Sequence, residues 1–174
     1  MNEMANVMQR VVLEKLTLNI GVGEGGDALE NGRKLLEKLS GSKAVITLSQ
    51  GRNPTFKIKK GDPLGVKTTL RGASAEEFLK KALEAVEHGI NERSMDGFGN
   101  VAFGVKEYID FPGAKYDPKI GMLGFDVCIS LRKPGARIAR RRIATRRLPK
   151  RQRVSNEEAK AFLSERFGVK FVKE

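Results

Sequence analysis

QGRNPTFKIKKGDPLGVKTTLRG, residues 50–72, opens as a basic segment and closes as a strand. Arg52, Lys57, Lys59 and Lys60 precede the first acid, Asp62, and the run Val66, Lys67, Thr68, Thr69, Leu70, Arg71 has the composition of a β-strand. Just upstream, AVITLS at 44–49 is also rich in β-formers, so the two runs read as a hairpin whose connection exceeds a dozen residues. Connections of that length in a compact domain are usually functional or disordered. At roughly 3.3 Å per extended residue, half of it reaches on the order of 20 Å from the sheet, far enough to touch a partner that the body of the fold does not.

Upstream, VVLEKLTLNIG at 11–21 alternates only in its second half, with Leu16, Leu18 and Ile20 facing one way and Lys15, Thr17 and Asn19 the other. GVGEGGD then turns the chain into a helix, with Asp27 as N-cap and Leu29, Leu35, Leu36 and Leu39 near one stripe, ending at Ser40 and Gly41. Downstream, Ser74 and Glu77 have capping-box spacing ahead of Phe78, Leu79, Ala82, Leu83 and Val86, and Gly89 is a terminator. Gly97 and Gly99 mark a tight turn before an extended run from Val101 toward Ile109, and the two prolines of FPGAKYDPKIG make 111–121 a loop. Leu123, Phe125, Val127, Ile129 and Leu131 alternate strictly with Gly124, Asp126, Cys128, Ser130 and Arg132, the clearest strand in the chain. Ser155 and Glu158 form a second capping box, opening a helix through Ala159, Phe162, Leu163 and Phe167 to Gly168. The class is α+β: an antiparallel-rich sheet with helices packed on one face, an open second face and long basic loops. Lys15, Thr17 and Asn19 with Lys67, Thr69 and Arg71 would coat that open face with groups suited to phosphates and ribose hydroxyls.

With 174 residues, 40% of them hydrophobic, and no Ser- or Pro-rich linker, residues 1–174 are expected to form one domain carrying the basic loop 50–63 and an arginine-rich insertion at 132–153. No apolar run approaches the roughly 20 residues of a membrane span, and the first ten residues lack a signal-peptide core, so the expectation is a cytoplasmic protein with no membrane partner. One cysteine and one histidine exclude an internal disulfide and a multi-cysteine zinc site, and they leave little for acid/base chemistry. No metal, no cofactor and no catalytic residue is expected. The net charge of +12 is concentrated: residues 132–153 hold nine arginines and two lysines with no acid, leaving 22 bases against 21 acids elsewhere. Arginine outnumbers lysine there, as suits forked donors meeting phosphate, and the segment returns to a capped helix instead of ending the chain. Without tryptophan, and with Phe56, Tyr108 and Tyr116 scattered, shape and backbone recognition of structured RNA fits better than stacking of single-stranded bases.

Gly21, Gly23 and Gly26 satisfy G-x-G-x-x-G between a strand and a helix, so a nucleotide-binding enzyme is one alternative. Glu24 and Asp27 would place negative charge where a pyrophosphate sits, and no acid lies between Glu37 and Asp62 to hold a ribose. A glycine-requiring turn reads better. A second alternative is a general RNA chaperone or nucleoid-type binder using the arginine segment alone. His88 reads as a helix-end partner and Cys128 as a small packing residue. Nothing ties Asp96, Asp110 and Asp126 into a site.

Five strings, in order, resemble a known family. LTLNIGVGE (16–24), VITLS (45–49) with the basic loop after it, FKIKKGDPLGVKTTLRG (56–72), DGFGNVAFGVKEYIDFP (96–112) and YDPKIGMLGFDVCI (116–129) are similar to the large-subunit ribosomal protein L five family, universal binders of 5S ribosomal RNA. The resemblance spans roughly 11–129. It implies a sheet whose open side meets 5S RNA, with Asn19, Lys43, Thr47, Thr69 and Arg71 matching the family's contact motifs and Lys15, Thr17 and Lys67 beside them. It implies that loop 50–61 reaches the peptidyl-site tRNA, presenting Arg52, Asn53, Phe56, Lys57, Lys59 and Lys60. Further implied partners are large-subunit ribosomal RNA in the central protuberance, ribosomal protein L eighteen on the same RNA, and a small-subunit head protein across an intersubunit bridge. Bacterial members have a helix ahead of the first strand and almost no insertion after the last one. Here the first strand comes almost at once, and 132–153 intervenes, an insertion that resembles the archaeal and eukaryotic branch. Arg137, Arg140, Arg141, Arg142, Arg146, Arg147, Lys150, Arg151 and Arg153 in that insertion are expected to touch ribosomal RNA. Met95 stands where many members have Phe, and Ala44 replaces a common Pro.

Overall fold

The structure, a computed structural model, describes residues 6–23 and 25–172; Glu24, read above as an acid in the glycine turn, lies outside them. Strand β1 (Val12–Gly21) is central, flanked by β3 (Pro63–Leu70) and β6 (Phe125–Arg132). β2 (Val45–Leu48) pairs outside β3, and β5 (Asn100–Val105) outside β6, giving the order β2-β3-β1-β6-β5 with every pairing antiparallel. Leu16 lies between Leu70 and Ile129, and Leu18 between Thr68 and Val127, so the alternating apolar residues of three strands meet on one face. Helices α1 (Asp27–Ser40) and α2 (Ala73–Ala85) cover that face through Leu29, Leu35 and Leu36 and through Phe78, Leu79, Ala82 and Leu83. Helix α3 (Asn156–Phe167) joins the same core with Ala159, Leu163 and Phe167. Fully burying each such leucine contributes about 1.5–3 kcal/mol.

The late alternation of the first strand has a structural cause. Leu13 pairs with Leu131 but Lys15 pairs with Ser130, which leaves Glu14 as an extra residue in a β-bulge. The bulge moves the core parity from odd to even, so that Leu13 and Leu16 both serve the apolar side while Lys15, Thr17 and Asn19 stay on the other.

Helix ends differ from the sequence reading in three places. Asp27 is the first residue of α1, and the cap is Gly26, with φ +110° and no side-chain cap bond. Ser74 lies inside α2, whose cap is Gly72 at φ +65°, so the Ser74–Glu77 box does not form. At the start of each of these two helices, a glycine that re-aims the backbone takes over from the polar cap. Gly89 does not end α2 either. Glu87 and His88 adopt positive φ, and Gly89 opens β4 (Gly89–Asn91), which pairs in parallel with β7 (Lys170–Val172), a small sheet that sequence reading missed. The box at Ser155 and Glu158 is present in full, and Gly168 closes α3 in the left-handed region.

The run from Val101 stops at Val105, and a short 3-10 turn takes Tyr108–Asp110. Buried Tyr108 accepts the Asp117 N–H at 2.8 Å, and Phe111 stacks on Phe78 at 4.7 Å between ring centres, pinning loop 111–121 to α2. The basic connection 50–61 is folded back on itself. Ser49 and Asp62, Gly61 and Ser49, and Asn53 and Ile58 are hydrogen-bonded across it, which extends the β2–β3 hairpin as an ordered arm.

Gly99, at φ +82°, packs against Val154; an added Cβ would sit 2.7 Å from the Val154 Cβ. Gly97 has φ +78° with nothing within 4 Å of such an atom. Gly99→Ala should therefore lower unfolding free energy by about 2–4 kcal/mol, from backbone strain plus overpacking, and Gly97→Ala by about 1–2 kcal/mol from strain alone. Denaturant unfolding of both variants checks this, and equal losses would show that the Val154 contact contributes nothing.

Candidate nucleic-acid interface

Register places the polar residues of four strands in rows across the open face. Thr69 lies opposite Thr17, then Cys128, then Ala102; Lys67 opposite Asn19, then Asp126, then Gly104; Lys15 opposite Ser130, then Asn100. Lys67 and Thr69 are exposed, while Lys15, Thr17 and Asn19 are half-buried. Thr47 on β2 belongs to the same face, paired with Gly65. Arg71 lies just past the end of β3 and Lys43 just before β2, both exposed at the rim, and the Lys43 carbonyl accepts the buried Thr68 hydroxyl at 2.8 Å. Sequence reading missed Asp126, Ser130 and Asn100 on this face. The strict alternation of β6 carried the signal for the first two, once β6 was known to adjoin β1.

The face is lined by hydroxyls, amides, two lysines and one carboxylate, a mixture that can donate to phosphate and accept from ribose 2′-hydroxyls. No nucleophile is built there. Burial pushes the Cys128 thiol above its usual range, and the Asp126 charge pushes it further, so it stays protonated. Asp96 organises the adjacent turn, accepting the Phe98 and Asn100 N–H groups at 2.8 and 3.0 Å. Burial raises its pKa, but the Asn100 side chain and these amides outweigh that and hold it below the ordinary carboxylate value. A groove of about 490 Å³ runs over this region between Lys15, Thr17, Asn100, Ser130 and Arg140.

At the tip of the arm, Asn53 Oδ1 accepts the Thr55 N–H, Lys57 turns through φ +56°, and Phe56 stands 72% exposed. Arg52, Asn53, Lys57, Lys59 and Lys60 on the same arm are all exposed, and Arg52, Lys57 and Lys59 line one hollow on it. The arm thus carries an unburied aromatic ring on a strongly basic segment.

The arginine segment divides into bases held by the protein and bases left to solvent. Lys133, buried, pairs with Glu158 at 2.7 Å; Arg132 and Arg140 share the Glu14 carboxylate; Arg141 Nε donates to the Ala144 carbonyl; Arg153 lies over the Phe98 ring at 5.6 Å. Gln152 Nε2 donates to the Met8 and Pro134 carbonyls, both at 2.9 Å. Arg137, Arg142, Arg146, Arg147, Lys150 and Arg151 are exposed, with no side-chain partner among the described residues. Sequence reading placed all nine site bases in one class; the structure separates Arg140, Arg141 and Arg153 from the rest.

The glycine turn is not arranged for a nucleotide. The Val22 and Gly23 N–H groups both donate to the Leu64 carbonyl at 2.9 Å, so these amides serve the packing of β3 and are not free to cradle phosphate. His88 lies beyond the end of α2, with Nδ1 buried and without a partner among the described residues.

Two family descriptions divide the chain between them: Ribosomal protein L5 over residues 6–59, and the C-terminus of the same ribosomal family over 63–171, arginine segment included. The chain belongs to the ribosomal L5 family. It is 50% identical over 168 residues to the large ribosomal subunit protein uL5 of Sulfurisphaera tokodaii, covering 96% of this chain and 95% of that one. Identity is 47% to the Sulfolobus acidocaldarius uL5 (94% and 92% covered) and 46% to that of Methanosphaera stadtmanae (94% and 98%). Members of the ribosomal L5 family are structural, non-enzymatic constituents of the large ribosomal subunit, and homologues of this kind belong to the cytoplasmic ribosome. Among the described residues no helix is long and apolar enough to cross a membrane.

Two outcomes follow from the segment's geometry. Arg146→Ala with Arg147→Ala should leave the melting temperature unchanged and weaken binding to structured RNA, with the salt slope reduced by about 1.5–2 for two lost phosphate contacts. For Glu158, burial raises the pKa, but the Lys133 and Ser155 hydrogen bonds outweigh it and leave the carboxyl below its ordinary 4.5. Its stabilisation is thus present above that value and disappears as pH falls through the depressed folded-state pKa. Melting curves of wild type and Lys133→Met should therefore differ by an amount that shifts against wild type on acidification from about pH 6 to about pH 3. A pH-independent difference would mean that the pair does not couple to folding.

Proposed function

We propose that this protein binds 5S ribosomal RNA through the open face of its sheet, using Lys15, Thr17, Asn19, Lys43, Thr47, Lys67, Thr69 and Arg71. The observation that carries the reading is the register of β1 with β3, which sets Thr17 beside Thr69 and Asn19 beside Lys67 on a face where Lys67 and Thr69 stay exposed. Small residues at Gly21, Gly65, Ala102 and Gly104 leave that face low, so a helical backbone can approach the hydroxyls and amides. The free bases of 132–153 supply attraction to large-subunit RNA, helping to dock the 5S particle in the central protuberance. The arm at 50–61 meets the peptidyl-site tRNA, with exposed Phe56 and the exposed Arg52, Asn53, Lys57, Lys59 and Lys60 as the contact. As one folded unit, the chain adjoins ribosomal protein L eighteen on the same RNA and a small-subunit head protein across an intersubunit bridge. Its role is placement, with no covalent chemistry.

Equilibrium binding to 5S RNA and to an unrelated structured RNA of equal length, across a salt series, tests the reading. Wild type should prefer 5S RNA, and Asn19→Ala with Thr69→Ala should cut that preference about tenfold or more while leaving the salt slope in place, because two hydrogen bonds and no phosphate charge are lost. Equal binding of both RNAs by wild type and variant would mean that the protein acts as a polycation and that the sheet recognises nothing.

A further inference from the structure

Glu14 is an acid set into the most basic surface of the molecule. Its side chain is 14% exposed, and the β-bulge aims it away from the strand pairs and toward the arginine segment. There one carboxylate oxygen takes both the Arg140 guanidinium and, at 3.9 Å, that of Arg132. For a surface that attracts a polyanion, a fixed negative charge at this place is a direct electrostatic cost. What it gives in return is geometric. Arg140 is 66% exposed and sits midway along a segment whose start is tied by Lys133 to Glu158 and whose end is tied by Gln152 to Met8 and Pro134. The tie to Glu14 brings the middle of the segment to the edge of the sheet, where Arg140 walls the groove floored by Lys15, Thr17, Asn100 and Ser130. Beyond it, residues 141–146 form a compact turn, with the Thr145 hydroxyl on the Arg141 carbonyl at 2.5 Å and the Arg146 N–H on the Ile138 carbonyl at 3.3 Å.

We propose that Glu14 is a positioning residue for RNA binding: by holding Arg140 it locks the arginine segment against the open face, so that Arg140 extends that face toward 5S RNA while the free bases beyond it are held in place for large-subunit RNA. The proposal rests on the RNA-binding reading above and adds to it that an acid is required for affinity. Pre-ordering of this kind spares the RNA the entropy of fixing a free basic loop.

The test turns on a sign. If Glu14 were only a misplaced negative charge, Glu14→Gln would tighten binding. If it positions the segment, Glu14→Gln should weaken binding to 5S RNA by about tenfold at fixed salt. Glu14→Asp should recover part of the loss. In an Arg140→Ala background, where there is no guanidinium left to hold at that position, Glu14→Gln should weaken binding no further. Without RNA, trypsin should cut Glu14→Gln faster at 137–147 than wild type, with cleavage elsewhere and the melting temperature little changed. Unchanged or tighter RNA binding by Glu14→Gln overturns the proposal, as does an equal loss in the Arg140→Ala background. A wild type that binds 5S RNA and the control RNA alike overturns the 5S reading instead, and the sign of the Glu14→Gln effect on either RNA still decides the positioning role.

Discussion

The pairing of β1 on both its edges is the constraint on which the rest depends. Because side chains alternate with period two, one register sends Leu16, Leu18 and Ile20 into the core and Thr17 and Asn19 outward, and a slip by one residue would exchange the two sets. Core and open face are therefore one specification read from opposite sides. The helices need only cover the apolar side, and the polar side stays open. The bulge at Glu14 lets the first turn of the strand obey the same specification despite its shifted sequence parity.

Charge is distributed according to a second logic. The open face itself carries few charges, and the excess lies on the arm and on 132–153. Selectivity based on hydroxyls and amides survives salt better than attraction based on arginine, so the two jobs can be varied separately. The cost of a dense arginine run is self-repulsion, which the protein relieves locally by enlisting Glu14, Glu158 and the Phe98 ring. Those contacts tie Arg132, Lys133, Arg140 and Arg153 to the protein and leave Arg137, Arg142, Arg146, Arg147, Lys150 and Arg151 exposed.

The strands and the open face were legible in the sequence because strict alternation has few competing interpretations; Leu123 to Leu131 in β6 and the Leu16–Leu18–Ile20 triplet show it. The starts of α1 and α2 were not legible. Ser74 and Glu77 have the right spacing for a cap, yet Gly72 turns the backbone earlier, and a φ value leaves no mark on polarity. The β4–β7 pair escaped because each strand has three residues, joins a partner far along the chain, and runs parallel to it. The division of the arginines was out of reach as well, since pairing of Arg140 with Glu14 depends on a bulge and on contacts across much of the chain. The recognition strings, by contrast, sit where the fold is least negotiable: glycine turns, the β3 strand and the Asp96 turn.

The sheet order has a consequence for the nascent chain. β1 gains β3 on one edge early, but its other edge waits for β6, about a hundred residues later, at a separation that slows pairing and leaves an open strand edge meanwhile. During synthesis, the β1–β3 half emerges with α1 and α2 to cover one face, while its unpaired edge is a template for a wrong strand. The polar residues on the open face keep that half-built sheet from presenting a second apolar side to its neighbours.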